Sequence, residues 1–500
     1  MPPFSRLLPL ALLPYVLDYL SKQEYSSLVR VCKYLNKEVT PYLYREISFR
    51  AGKSRGCARK LAFLLRTFLE RPQFSSHVNI FRLSGPHPCW TKYNPWPEEH
   101  DRNAWSVNLW GLEGCTTLSK TQMIFVTNQF YQLVDADMHK SPTQFRGRSK
   151  DALAILVLTR LTQLTTLKLG DGFLMYSLFL PQILKRADHL FPKLEHVVFG
   201  DRMPDLENSF SYMDLDLVRP IFHSPTVQNF EWTMSQPWQF GWNTPEPPKN
   251  THLTSLHLFR TNINRATLNQ LLSVTPNLKR FRFQHEILFN NVAPGSSALA
   301  PFLHLDGLNQ ALSNVKDSLE DCKLTLGLAP GSLSFKYIVE EGLHFPPVEG
   351  TLTVLKGMKK LKNVEVPLVM FLGWSPDFAA RLDEVLPEHI EDVTLRDDFV
   401  RYSPWTLDVN CGQKMGRIEE YVGGRTVHAS KLRTLKIKLT AAKKDHWLLE
   451  AVKDLRALIG EKGVQHWVSN ELVKENYCWQ FEHSEDSRKD SVIPGVFFTT

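Results

Sequence analysis

One short pattern recurs along most of this chain: a large apolar residue, then a second three positions on, then a third two positions later. It stands at Val78/Phe81/Leu83, Leu164/Leu167/Leu169, Leu194/Val197/Phe199, Val227/Phe230/Trp232 and Leu253/Leu256/Leu258. It continues at Leu278/Phe281/Phe283, Leu319/Cys322/Leu324, Leu361/Val364/Val366, Ile390/Val393/Leu395 and Leu432/Leu435/Ile437. The last two residues of each triplet are two apart, so on a strand they point to the same side. From Leu164 to Leu432 eight steps cover 268 residues, a mean of 33.5, with single steps of 25 to 42. Stretches with helical spacing lie between several triplets. Residues 180–189 put Leu180, Ile183, Leu184 and Ala187 on one face. Residues 264–274 do the same with Leu268, Leu271 and Leu272, behind Asn264 as N-cap, and residues 377–386 form a third stretch. Strand–helix units of this kind, stacked side by side, give a solenoid with a parallel sheet on its concave face. An unrelated α/β fold with ordinary buried strands is the alternative. The 500 residues exceed the roughly 250–300 that one hydrophobic core serves, which requires several domains or an elongated array.

Composition narrows the function classes. Apolar residues make up 43% and charged residues 22%, as in an ordinary globular protein. The net charge of +7 is small for this length and no long basic block carries it, so nucleic acid is not an expected partner. The seven cysteines form no CxxC pair, and no Asn-x-Ser/Thr sequon occurs. Both facts predict a reducing compartment, cytoplasm or nucleus or both. The apolar run from Leu7 to Leu17 is shorter than the about 20 residues that span a bilayer. Pro9 and Pro14 interrupt it and no small-x-small cleavage pattern follows, so neither a signal peptide nor a membrane partner is expected.

The first fifty residues have their own pattern. Leu12, Leu13, Val16, Leu17 and Leu20 fall at helical spacing and predict one apolar face, with Pro14 tolerated only in a first turn. Ser21-Lys22-Gln23-Glu24 is a capping-box pattern that starts a second helix, whose buried face is Tyr25, Leu28, Val29 and Cys32. Leu35, Val39 and Leu43 extend a third helix, Thr40-Pro41 marks a break, and Tyr44 to Phe49 alternates like a strand. In order and spacing, Leu8, Pro9, Leu12, Leu13, Val16, Tyr19, Leu20, Leu28, Val31, Cys32 and Lys33 resemble a fungal-type F-box. The chain departs from that motif at Ala11, where the family often has Glu, and at the extra Pro14. The resemblance covers about a tenth of the chain. It implies docking on the adaptor of an SCF-type (cullin–RING) ubiquitin ligase, and through it on the cullin. The implied adaptor-binding residues are Leu8, Pro9, Leu12, Leu13, Val16, Leu20, Leu28, Val31 and Cys32.

The triplets in turn resemble irregular leucine-rich repeats, whose regular periods are about 20–29. An F-box followed by such repeats is a known family arrangement. The expected organisation is an F-box at residues 1–50, a linker helix and first repeat at 51–83, and a Trp/Pro-rich insertion at 84–150. Irregular repeats follow at 151–440, then a C-terminal helical cap and tail at 441–500. The cap is expected over residues 446–459, with Leu448, Leu449, Val452, Leu455 and Leu458 on one face. The insertion holds Trp90, Trp96, Trp105 and Trp110. A second Pro-rich stretch, residues 238–249, offers Trp238, Phe240 and Trp242 as target-binding residues, since aromatic side chains supply large contact areas.

Motifs for chemistry are incomplete. Gly52-Lys53-Ser54 lacks the first P-loop glycine, because Ile47 stands there. His285-Glu286 begins a zinc-protease pattern, but Phe289 replaces its second histidine. His87, Cys89, His100 and Cys115 fit no standard zinc spacing, and no G-x-S-x-G elbow occurs. Asp397-Asp398 reads as a pair of solvated turn residues. No catalytic residue, metal or cofactor is therefore expected. The expected function is a ligase substrate receptor that holds an unidentified target protein by its repeats. The alternative is an F-box scaffold without a role in degradation.

Overall fold

The computed structural model describes residues 12–50, 56–84, 118–133, 149–174, 177, 179–200, 218–233, 240–242, 247–249, 252–287, 303–328, 348–399, 403–406, 408–424, 430–438, 457–461 and 463–469. The protein is mixed α/β and divides into two compact units. One comprises residues 1–201, 216–227 and 483–500, the other residues 202–215 and 228–482.

The first unit opens with α1 (Leu13–Leu17), α2 (Lys22–Leu28) and α3 (Lys33–Arg45), followed by strand β1 (Glu46–Arg50). Pro14 lies in the first turn of α1, where its missing N–H costs no helical bond. Ser21 and Glu24 close the capping box: Ser21 N–H donates to Glu24 Oε2 at 2.6 Å, and Ser21 Oγ accepts the Glu24 N–H. The break expected at Thr40-Pro41 is absent, since α3 runs through Pro41 to Arg45. The helix forfeits one backbone bond there, and burial of Val39 and Thr40 carries it through. Cys32 sits outside α2; its Sγ caps α3 by accepting the Leu35 N–H.

Strand β1 pairs in parallel with β2 (Ile80–Ser84), β2 with β3 (Thr166–Leu169), and β3 with β4 (His196–Phe199). Between β1 and β2 runs α4 (Gly56–Glu70), which packs on the helix Ser149–Leu158. That second helix is buried over residues 152–158, as its unbroken apolar sequence requires. A helix at Lys120–Leu133 lies within the stretch taken from sequence as a Trp/Pro-rich insertion, whose four tryptophans are outside the described residues.

The second unit repeats the scheme. Strands β5 (Asn229–Thr233), β6 (Ser255–Thr261) and β7 (Arg280–Ile287) pair in parallel, in chain order. After the short β8 (Leu303–His304), β7 pairs with β9 (Asp321–Leu328). Past the short β10 (Val348–Glu349), which pairs with β8, the sheet continues through β11 (Asn363–Pro367), β12 (Asp392–Arg396), β13 (Thr434–Lys438) and β14 (Gln465–Ser469). Within each unit the strand order follows the chain and never reverses, unlike a doubly wound sheet with its switch point.

All ten triplets lie at these strands, and all thirty side chains are buried. The first residue of each triplet precedes its strand and the other two point into the core. The next residue joins a recurring backbone ladder. The Lys279 carbonyl accepts the N–H groups of Glu320 and Asp321, the Glu320 carbonyl those of Lys362 and Asn363, and the Lys362 carbonyl those of Glu391 and Asp392. Glu391 does the same for Arg433 and Thr434, and Thr254 for Lys279 and Arg280. An identical hydrogen-bond position in each unit keeps the apolar side of every strand facing the same way.

Helices cover the apolar side. Asn264 caps the helix Arg265–Ser273, its Oδ1 accepting the Thr267 N–H at 2.9 Å, and Leu268, Leu271 and Leu272 are buried. That helix packs on Leu305–Ser313 so closely that a Cβ on Gly307 would lie 2.6 Å from the Arg265 Cβ. The other two helices expected from sequence are broken. Residues 180–189 split into Leu180–Leu184 and Ala187–Leu190, because Arg186 leaves helical geometry. Residues 377–386 split into a 3-10 turn at Pro376–Phe378 and one helical turn at Leu382–Val385. The chain is extended at Ala379 and Arg381, and the Arg381 N–H bonds the Glu384 carboxylate, so a local cap restarts the helix. Of the C-terminal helix, residues 457–461 are described and helical, with Ile459 buried; residues 446–456 lie outside the described residues. No helix among the described residues is long and apolar enough to cross a membrane.

Candidate protein-interaction surfaces

Among the described residues the three N-terminal helices enclose a small core of Leu17, Leu35 and Val39. Leu13, Leu20, Tyr25, Leu28, Val29 and Tyr42 pack around it. So small a module leaves much of its apolar surface in water. Leu12, Tyr15, Val16, Tyr19, Val31 and Tyr34 are exposed, Tyr15 at 70% and Tyr19 at 91%. They are six of the eight exposed large hydrophobic residues among the described residues.

The single apolar face expected over α1 is two stripes. Leu13, Leu17 and Leu20 turn inward, and Leu12, Tyr15, Val16 and Tyr19 outward. The outward four are spaced at i, i+3, i+4 and i+7, with Tyr15 and Val16 in α1, Leu12 at its N-cap and Tyr19 just past its C-cap, Asp18. Of the adaptor-binding set read from sequence, Leu12, Val16, Val31 and Cys32 are on the surface. Leu13, Leu20 and Leu28 are partly buried and pack against the module's own core. Leu8 and Pro9 lie outside the described residues. Tyr15, Tyr19 and Tyr34 are exposed beside them and were not part of that set.

A second surface is the polar side of the strands in the second unit. There Glu365 Oε1 meets three cations: Arg396 at 2.6 Å, Lys323 at 3.0 Å and Lys438 at 3.1 Å. Arg396 also donates from Nε to Asp398 at 2.9 Å, and Asp398 accepts the Leu326 N–H at 3.0 Å. Asp397 and Asp398 are therefore not solvated turn residues; both are buried. Burial is affordable for Asp398 because the guanidinium and a backbone amide replace its hydration.

Nearby along the sheet, Arg260 Nε donates to Glu286 Oε1 at 2.7 Å, and Arg260 holds a left-handed φ of 43° at an irregularity of β6. Glu286 and His285 are buried, and among the described residues neither Glu286 Oε2 nor His285 Nδ1 has a hydrogen-bond partner. Burial pushes the Glu286 carboxyl up, opposed by the Arg260 charge, and pushes His285 down to about 4. His285 and Glu286 lie on strand β7, where adjacent residues face opposite sides, so they cannot share one helical metal-binding face. Burial also pushes the Cys322 thiol up, which keeps it protonated and non-nucleophilic.

Of the proposed target-binding aromatics, Phe240 and Trp242 are half-buried, with rings edge-on at 5.1 Å. Trp238 lies outside the described residues, as do Gly52-Lys53-Ser54, His87, Cys89, His100 and Cys115. Among the described residues no three His, Cys, Asp or Glu side chains converge as a metal site. No protein-family model matches this chain, and a search of curated proteins finds no match either.

Proposed function

We propose that the chain is the substrate-recognition subunit of an SCF-type cullin–RING ubiquitin ligase, with an F-box at its N-terminus and irregular leucine-rich repeats after it. The observation that carries the reading is the outward stripe of Leu12, Tyr15, Val16 and Tyr19, joined by Val31 and Tyr34. Exposed apolar residues concentrated in one small module mark a protein-binding surface. Parallel strands in chain order, ten of them entered by a buried apolar residue and several of those by the same ladder bond, support the repeat reading. A receptor of this kind needs no nucleophile. It accelerates a partner's chemistry by holding the target close, which raises effective concentration.

Replacing Leu12→Asp together with Val16→Asp places two charges in the desolvated contact. Capture of the adaptor and cullin by the full-length protein should fall by about tenfold or more. Both side chains point to solvent in the free protein, so its thermal unfolding should be unchanged. Normal capture by the double variant would remove the N-terminal helices as the adaptor site.

A further inference from the structure

The turns that enter β11, β12 and β13 enclose an open cavity of about 500 Å³. Lys359, Lys360 and Lys362 come from the first turn, His389 from the second and Lys431 from the third, and Glu320 and Glu391 complete the wall. The carboxylates do not neutralise the lysines. Glu320 pairs with Lys279 at 3.8 Å, and Glu391 pairs with Arg433 at 3.2 Å. None of the four lysines has an acidic partner within ion-pair distance among the described residues. The His389 Nε2 is shielded from solvent and has no hydrogen-bond partner among the described residues.

We infer that this cavity binds an extended acidic peptide, a run of Asp and Glu side chains in a partner protein. The wall extends across four neighbouring strands from β9 to β13. Three steps of about 4.8 Å make roughly 14 Å, which four or five residues of extended chain span. The cations are lysines on separate turns. Such separated point charges suit carboxylates spaced along a strand, whereas a single phosphate is held best by the fixed fork of arginine. If the chain is a ligase receptor, the peptide belongs to its target, but the binding itself does not depend on that reading.

The test is fluorescence anisotropy with the full-length protein and a labelled peptide of five alternating Glu and Asp residues between Gly-Ser ends. Controls are the matching Gln/Asn peptide, the peptide with one phosphoserine in place of the five acids, and a ten-residue oligothymidylate. The acidic peptide should bind about tenfold or more tightly than the amide peptide, and more weakly as salt rises. Lys360→Glu, Lys362→Glu and Lys431→Glu together should weaken it about tenfold or more, and Lys193→Glu with Lys249→Glu should not. All five lysines are exposed, so charge reversal leaves the core intact. Equal binding of the acidic and amide peptides, or triple-variant binding equal to that of the unchanged protein, would overturn the assignment. So would tighter binding of the phosphoserine peptide or of the oligothymidylate. Adaptor capture, measured on the same triple variant, should stay normal; its loss alone would count against the receptor reading and not against the cavity.

Discussion

Arg396→Ala should destabilise the second unit by about 3–5 kcal/mol, the usual cost of removing one partner from a buried ion pair. The Arg396 side chain is 2% exposed and so is that of Asp398. Without the guanidinium, Asp398 keeps the Leu326 amide as its one donor among the described residues, and a carboxylate with one neutral donor is poorly compensated in the interior. Glu365 suffers less, since Lys323 and Lys438 still reach it. Arg396→Lys restores the charge but lacks the fork that serves Glu365 and Asp398 together, so it should fall between. Urea unfolding gives the measurement, with the transitions of the two units fitted separately because two-state behaviour is not assured for two units. A loss below about 1 kcal/mol for Arg396→Ala would mean that water already solvates the network.

The second large effect is on acid stability. Folded His285 titrates at about 4 because of its burial. Unfolded, it titrates near 6.5. Between these values the unfolded chain binds a proton that the folded chain refuses, so stability is lost as pH falls from 6.5 towards 4. At about 1.4 kcal/mol per pH unit, the whole window is worth roughly 3 kcal/mol. Glu286 acts with the opposite sign. Its raised folded pKa lets the folded protein take up a proton before the unfolded chain does, which adds stability on acidification. His285→Leu isolates the histidine, since its strand neighbour in register is Leu326 and the site accepts an apolar side chain. Between pH 6.5 and 4 the unchanged protein should lose about 3 kcal/mol more than the variant. Identical pH profiles would mean that His285 is solvated in the folded state.

The repeating strands were legible because their signal is local. Two apolar residues on one side of a short strand, with a third at its entry, can be seen in the sequence without knowing the partner strand, and all ten such sites are buried strands. The last strand escaped because its register partners to Leu435 and Ile437 are His466 and Val468, and Gly463 stands where the entry residue would be. The first strand was visible as an alternation. Its pairing with β2 was not, since that depends on residues more than thirty positions away. Asp397-Asp398 was misread for the same reason. The amide that helps to bury Asp398 belongs to Leu326, 72 positions earlier. In the N-terminal helices, the apolar pattern predicts one face where the structure has an inward and an outward set. Leu12 and Leu13 are adjacent and equally apolar, and only the position of Leu17, Leu35 and Val39 decides which of them turns inward.

The proposed adaptor surface can be read directly by hydrogen exchange on the full-length protein, with and without purified SCF adaptor. New protection is expected over residues 8–34, which include α1, α2 and the start of α3, with the amides of the parallel strands unchanged. Protection elsewhere, or none at residues 8–34, would contradict the proposal.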